Sequence, residues 1–299
     1  MRSIVTGGLG FIGSNLVDRL IDLGHEVLVI DNKSSKSNEN YHINEKAQNF
    51  HIDLSNKNSF PIVKELFADM DYVFHMAADV SIQYCVENPM ESYVNNVNAT
   101  NYVIEAARLA RVKRMVLSST AALYGATDKT CTETLSVETL NTYSQSKFAS
   151  ENLMKLYYQL YGLRTVSLRY FNAYGPRQPS SGQYAPVIGI FKAQKDADRE
   201  LTIVGDGRQT RDFVHVSDIV DANIKVAITD VDKYGEVYNV GTGISHSIKT
   251  IASMISDKQI HLPPRPAESR FSRANINKIK STYGWSPKVN LETWIKENL

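Results

Sequence analysis

Cysteine is nearly absent: Cys85 and Cys131 are the only two in 299 residues. Two thiols exclude a disulfide-stapled fold and cannot build a cysteine metal centre. The seven histidines (His25, His42, His51, His75, His215, His246 and His261) lack metal-ligand spacing, and no metal is expected. Charge of one sign is missing as well. With 33 Lys and Arg against 32 Asp and Glu the net charge is +1, so nothing calls for nucleic acid or an anionic membrane. No apolar run reaches transmembrane length, and a strand starting at Arg2 leaves no room for a secretion leader; a cytoplasmic protein is expected. Internal repeats and low-complexity tracts are also absent. What remains is ordinary globular composition, 42% hydrophobic and 22% charged, at a length for one large α/β domain or two smaller ones.

The first thirteen residues carry the strongest signal. Arg2-Ser-Ile-Val-Thr6 reads as a strand, Gly7-Gly-Leu-Gly10-Phe-Ile-Gly13 as a glycine-rich turn, and the residues from Phe11 to Leu20 as an amphipathic helix. Gly7 permits the tight turn, Gly10 lets backbone approach a pyrophosphate, and Gly13 lets helix and strand pack closely. The helix N-terminus then offers free N–H groups and a positive dipole to phosphates. Glu26-Val-Leu-Val-Ile-Asp31 reads as the next strand, ending in a carboxylate about twenty residues beyond the loop, where a ribose diol is gripped. Alone, an acid there is also an ordinary turn residue; the preceding loop favours the ribose. Asn32 and Lys33 follow, with no Arg to take a 2′-phosphate, so NAD is favoured over NADP.

Further strands are expected at 49–52, 72–75, 114–118 and 165–170, and helices at 61–68, 95–110 and 144–161. This alternation predicts an α/β protein with a Rossmann-type, doubly wound parallel sheet. After Asn172 the pattern loosens at Pro176, Pro179, Ser180, Ser181 and Gly182, whereas 216–228 and 237–240 are expected to rejoin the sheet as helix and strand. The expectation is a dinucleotide-binding domain over 1–171 with 213–243 returning to it. A smaller, interleaved substrate domain would comprise 172–212 and 244–299.

Tyr143-Ser-Gln-Ser-Lys147 sets a phenol and an ammonium on one helix face. A tyrosine beside a fixed cation can ionise below its reference value of about 10 and act as a base. The same spacing also describes a solvated surface pair. Met115-Val-Leu-Ser118-Ser-Thr120 argues for the site, because it brings hydroxyls to the carboxyl end of a strand, where open parallel sheets bind ligands.

With these residues in hand, the chain resembles the extended short-chain dehydrogenase/reductases, and within them the nucleotide-sugar 4-epimerases. The resemblance covers essentially the whole chain and rests on an ordered set of motifs: Thr6 to Gly13, Asp31-Asn32, His75-Met-Ala-Ala78, Ser118 to Gly125, Tyr143 with Lys147, Arg169-Tyr-Phe-Asn172, Gly175-Pro-Arg177 and Gly205 to Val214. It implies that Tyr143 is the catalytic base, that Lys147 holds the nicotinamide ribose and lowers the Tyr143 pKa, and that Thr120 bridges to the substrate hydroxyl. It further implies that Phe11 and Ile12 meet the pyrophosphate and that Asp53, with Leu54, reads the adenine. Ala77, Ala78, Asn96, Ser118 and Tyr170 complete the NAD contacts.

On the substrate side the resemblance implies that Arg211, Arg265 and Asn172 hold the diphosphate of a UDP-sugar and that Glu268 grips its ribose. Val187 would join the nucleotide wall, and Ser81 and Gln83 would touch the sugar. Ser272 falls where pocket size is set, and its small side chain suits UDP-glucose and UDP-galactose with room for the N-acetyl group of UDP-GlcNAc and UDP-GalNAc. Dehydratase relatives carry an Asp-Glu pair after the active-site Thr, and decarboxylating ones a Glu in that segment; Ala121 and Ala122 stand here, which leaves epimerisation at C4 through a 4-keto sugar. The alternatives are a UDP-uronate 4-epimerase, a keto-sugar-nucleotide reductase and, outside catalysis, an NAD-binding regulator. Gly189 replaces a usual Pro and is expected to loosen the wall over the base. Helices 95–110 and 144–161, with Val97, Ile104, Leu153 and Leu156, are expected to pair across a two-fold axis as the four-helix bundle of a homodimer.

Overall fold

A computed structural model describes residues 1–35, 40–180, 185–264 and 270–299. The first half runs β1 (Arg2–Thr6), α1 (Phe11–Asp22), β2 (Glu26–Asp31), β3 (Gln48–His51), α2 (Phe60–Leu66), β4 (Tyr72–His75), α3 (Ile82–Glu87), α4 (Pro89–Tyr93), α5 (Ala99–Leu109), β5 (Arg114–Thr120), α6 (Thr142–Tyr161) and β6 (Thr165–Tyr170). The second adds β7 (Asn172–Tyr174), α7 (Val187–Asp196), β8 (Leu201–Val204), β9 (Thr210–His215), α8 (Val216–Ile228), β10 (Glu236–Val240), β11 (Ser245–Ser247), α9 (Ile248–Ile255), β12 (Gln259–Leu262), α10 (Asn277–Tyr283) and α11 (Leu291–Asn298).

Among the described residues, seven strands form one parallel sheet in the order β10-β6-β5-β4-β1-β2-β3. Helices cover both faces, so β4 and β6 are buried at every position, whereas the edge strand β3 exposes Gln48, Asn49 and His51. Successive side chains feed opposite layers. Val5 and Phe74 pack with Leu16 and Ile219 on one face; Ile4 and Val73 pack with Val63 and Val103 on the other. Each such fully buried side chain contributes roughly 1.5–3 kcal/mol. Strand order reverses beside β1, between β1 and β4, which opens a crevice at their carboxyl ends.

Among the described residues of the second half, a three-stranded sheet, β11-β9-β7, and a two-stranded one, β12-β8, form over a core that includes Phe191, Ile203, Phe213 and Ile251. The chain passes between the two cores within β9: Phe213 packs in the smaller, Val214 in the larger. From there α8 and β10 return to the parallel sheet, β10 alongside β6. One helix departs from expectation. The segment 95–110 begins with a π turn, Val94–Asn98, before α5. No helix among the described residues is long and apolar enough to cross a membrane.

Candidate active site

A cavity of about 320 Å³ lies at the carboxyl ends of β1, β2, β4 and β5. Its cofactor side is built from main chain. Gly7 has φ +65°, and a Cβ there would lie 2.6 Å from the Ala77 nitrogen. A Cβ on Gly13 would lie 2.1 Å from the Gly7 carbonyl oxygen, so α1 meets the turn only because Gly13 lacks a side chain. The α1 N-terminus has no side-chain cap and no acid in its first turn, so its N–H groups stay available to an anion. Asp31 clamps this turn: Oδ2 accepts the Leu9 N–H (3.2 Å) and Oδ1 the Lys33 N–H (2.8 Å), leaving carboxylate lone pairs for a diol. Asn32 and Asp53 order the neighbouring turns, accepting from Ser34 and Ser55. Gly7, Gly10, Phe11, Ile12, Gly13, Asp31, Asn32, Asp53, Leu54, Ala77 and Ala78 all line the cavity, and the cradle fits a dinucleotide.

The chemical end is set by α6 and β5. Asn141 caps α6, accepting from the Ser144 N–H at 2.8 Å, and so starts the helix just ahead of Tyr143. Tyr143, Thr120, Ser118 and Tyr170 line the cavity. Burial pushes the Tyr143 phenol up to about 12, and a hydrogen bond from Thr120 opposes it. Burial also lowers the Lys147 ammonium to about 8. The expected lowering of the phenol by Lys147 is not found: the ammonium donates to the Ser118 carbonyl at 2.9 Å, and desolvation dominates at the phenol. The Tyr170 hydroxyl donates to Asn223 at 2.9 Å.

Several expected residues lie elsewhere. Asn96 is buried behind the wall, where Oδ1 accepts the Asp79 N–H (2.7 Å) and Nδ2 donates to the Asp79 carbonyl (3.0 Å). Ser81 caps α3 and Gln83 is an exposed residue bonded to Glu87, so neither lines the cavity. Asn172 donates to the Asp212 carbonyl, and Val187 packs on the smaller core. Arg211 bonds the Thr210 carbonyl, and the Ser272 carbonyl accepts from Ser245. None of these four is a lining residue of this cavity. Arg265 and Glu268 lie outside the described residues. Gly189 does not loosen the wall. A Cβ there would be 2.1 Å from the carbonyl oxygen of Pro179, a lining residue, so glycine allows closer approach.

Sequence reasoning missed Asp79 and Asn95, both lining, with Asn95 Nδ2 donating to Asp79 Oδ2 at 2.8 Å. Burial raises the Asp79 carboxyl. Its place directly after Ala77-Ala78 was the available signal. Asp212 was missed too. Its buried carboxylate accepts from Thr242 N–H (2.8 Å) and hydroxyl (2.7 Å), Gly243 N–H (2.9 Å) and Ala274 N–H (3.0 Å), gathering three segments around Arg211.

A wholly parallel sheet, a glycine-cradled cavity at its switch point and a buried Tyr-x-x-x-Lys helix define a dinucleotide-dependent enzyme of the Rossmann class. The chain belongs to the NAD-dependent epimerase/dehydratase family, whose model matches residues 3–241. It is 35% identical over 310 residues to a Mycolicibacterium smegmatis UDP-glucose 4-epimerase, covering 100% of this chain and 97% of that one. Its fold is similar to Thermotoga maritima UDP-glucose 4-epimerase with UDP-glucose, at TM-score 0.91 and 34% identity over 99% and 96% of the two chains. It is likewise similar to Thermus thermophilus UDP-glucose 4-epimerase in complex with NAD, at TM-score 0.88 and 32% identity over 99% and 97%.

Proposed function

We propose that this chain inverts C4 of a UDP-hexose through a transient 4-keto sugar, with NAD as resident cofactor. The carrying observation is the buried Tyr143 phenol beside Thr120 in a cavity cradled for a dinucleotide, on a segment that continues with Ala121-Ala122 instead of the acids that elimination needs. Bound NAD supplies reversible two-electron oxidation of the C4 carbinol. Tyr143 takes the 4-hydroxyl proton and returns it after the sugar has turned its other face. Thr120 orients that hydroxyl, and Lys147 supplies the fixed positive charge that eases ionisation of the phenol once the ligands fill the cavity. Ala77 and Ala78 let the cofactor lie against main chain, and Asp31 takes the ribose diol.

The UDP grip is assigned to Asn172, Arg211, Arg265 and Glu268, the arginines matching phosphate oxygens as forks. The small Ser272 is read as admitting N-acetyl hexoses. A homodimer through α5 and α6 is supported by apolar side chains left exposed along α4 to α6: Met90 at 84%, Tyr93, Val94, Leu156 and Leu160. Of the residues expected there, Ile104 is instead fully buried under the sheet. The compartment proposed is the cytoplasm, in keeping with two free, buried thiols. We expect purified protein to interconvert UDP-glucose and UDP-galactose, and UDP-GlcNAc and UDP-GalNAc, as read by chromatography. Tyr143→Phe should slow this by roughly 10²–10⁴-fold. Turnover of none of the four with NAD bound would overturn the assignment.

A further inference from the structure

An imidazole behind the cavity links its two ends. His75 closes β4, is 1% exposed, and meets a hydroxyl at each ring nitrogen: Nδ1 lies 2.7 Å from Thr6 Oγ1 and Nε2 3.0 Å from Thr100 Oγ1. Thr6 is the last residue of β1, directly before Gly7. Thr100 lies in the first turn of α5. Beyond it the bonds run on toward the phenol. The Thr100 hydroxyl donates to the Asn96 carbonyl (2.6 Å), Asn96 Nδ2 to Ser146 Oγ (2.9 Å), and the Ser146 hydroxyl to the Tyr143 carbonyl (2.8 Å).

Proton counting orders this chain. Thr100 has one hydroxyl proton, already given to Asn96, so it must accept from His75, and Nε2 carries the hydrogen. The bare Nδ1 then accepts from the Thr6 hydroxyl, which itself accepts the Ala77 N–H at 3.4 Å. Burial and the nearby Lys147 ammonium keep the ring neutral, lowering its pKa to about 3. Ile4 and Val5 on β1, Val73 and Phe74 on its own strand, and Met115, Val116 and Leu117 on β5 bring no charge that would favour a second proton.

We propose that His75 is a positioning residue: its Nε2–H imidazole couples the glycine-rich β1–α1 turn to the helix bearing Tyr143, so that dinucleotide grip and phenol placement shift together. This rests on the reading of the cavity as an NAD and epimerase site. The test is a double-mutant cycle on the holoenzyme with Thr6→Val and Thr100→Val, reading the NAD dissociation constant and kcat separately. Coupling predicts that Thr6→Val lowers kcat as well as NAD affinity, and that Thr100→Val weakens NAD although it lies away from the turn. The combined effect should miss the product of the single ones by about threefold or more.

Nitrogen-15 NMR of the wild type should show His75 with a bare Nδ1 throughout the range where free histidine titrates, and this readout needs no variant to fold. Multiplicative effects, each confined to one parameter, or a protonated Nδ1, would overturn the inference. If wild type binds NAD and turns over UDP-hexose while the effects stay independent, only the coupling fails. If wild type does neither, the epimerase reading fails, and the NMR result still reports on the wiring.

Discussion

The cofactor side of the cavity is walled by main chain, whereas the smaller C-terminal region offers side chains carried by strands and loops far apart in sequence. On the cofactor side Gly7, Gly10, Gly13, Ala77 and Ala78 line the cavity with a methyl group or no side chain at all, so main chain forms its wall. In the smaller region Asn172 on β7, Arg211 on β9 and Ser272 after β12, none of them lining that cavity, are held in relation by the Asp212 carboxylate and carbonyl. A main-chain grip tolerates no added atom. A side-chain grip can be retuned residue by residue, which is where relatives of one fold can come to differ in the sugar they accept.

That contrast can be broken most severely at Gly13. Adding a Cβ 2.1 Å from the Gly7 carbonyl forces turn and helix apart, at a cost of about 1–3 kcal/mol or more. Gly13→Ala should therefore lose NAD affinity by at least about tenfold and melt earlier, in titration and thermal unfolding. Binding like wild type would end the main-chain account. Arg211→Ala sharpens the contrast from the other side. Loss of one charge-assisted contact, about 1.5–3 kcal/mol, should raise KM for the UDP-sugar roughly tenfold with the NAD dissociation constant unmoved. A matching loss of NAD would show that the two sides are not separable.

The smallest expected effect is acid sensitivity of the cofactor side. His75 titrates near the ordinary 6.5 when unfolded and about 3 when folded, so between these values the unfolded chain holds more protons and stability falls as pH falls. The slope from this group is about 1 kcal/mol per pH unit. His75→Gln, which keeps a donor and an acceptor, should flatten it in denaturant unfolding between neutral pH and pH 5. An unchanged slope would assign acid sensitivity to another group.

Legibility followed the same divide. The β1–α1 turn, Asp31 and the Tyr143–Lys147 pair could be read in advance because their partners lie within a few residues or one strand. Ser81 and Gln83 misled, since a residue near a strand end can turn either to the cavity or to the cap and surface of the next helix; α3 took both. Gly189 misled because the group that a Cβ there would meet, the Pro179 carbonyl, lies outside its own helix and leaves no local pattern. His75 stood within a recognised motif. Its partners at Thr6 and Thr100 come from separate elements and leave no local pattern.

By itself the sequence determined the parallel α/β order, the glycine-cradled turn and the placing of a phenol and an ammonium four residues apart on one helix. Those follow from periodicity, steric freedom and short spacing, which are properties of neighbours. Only the tertiary structure decided how protons sit: a Tyr143 phenol held near 12, a Lys147 ammonium near 8, a His75 ring kept neutral. The physical reason is that the cost of a charge depends on how much water is removed from around it and on which dipoles replace that water, and both are supplied by segments distant in the chain.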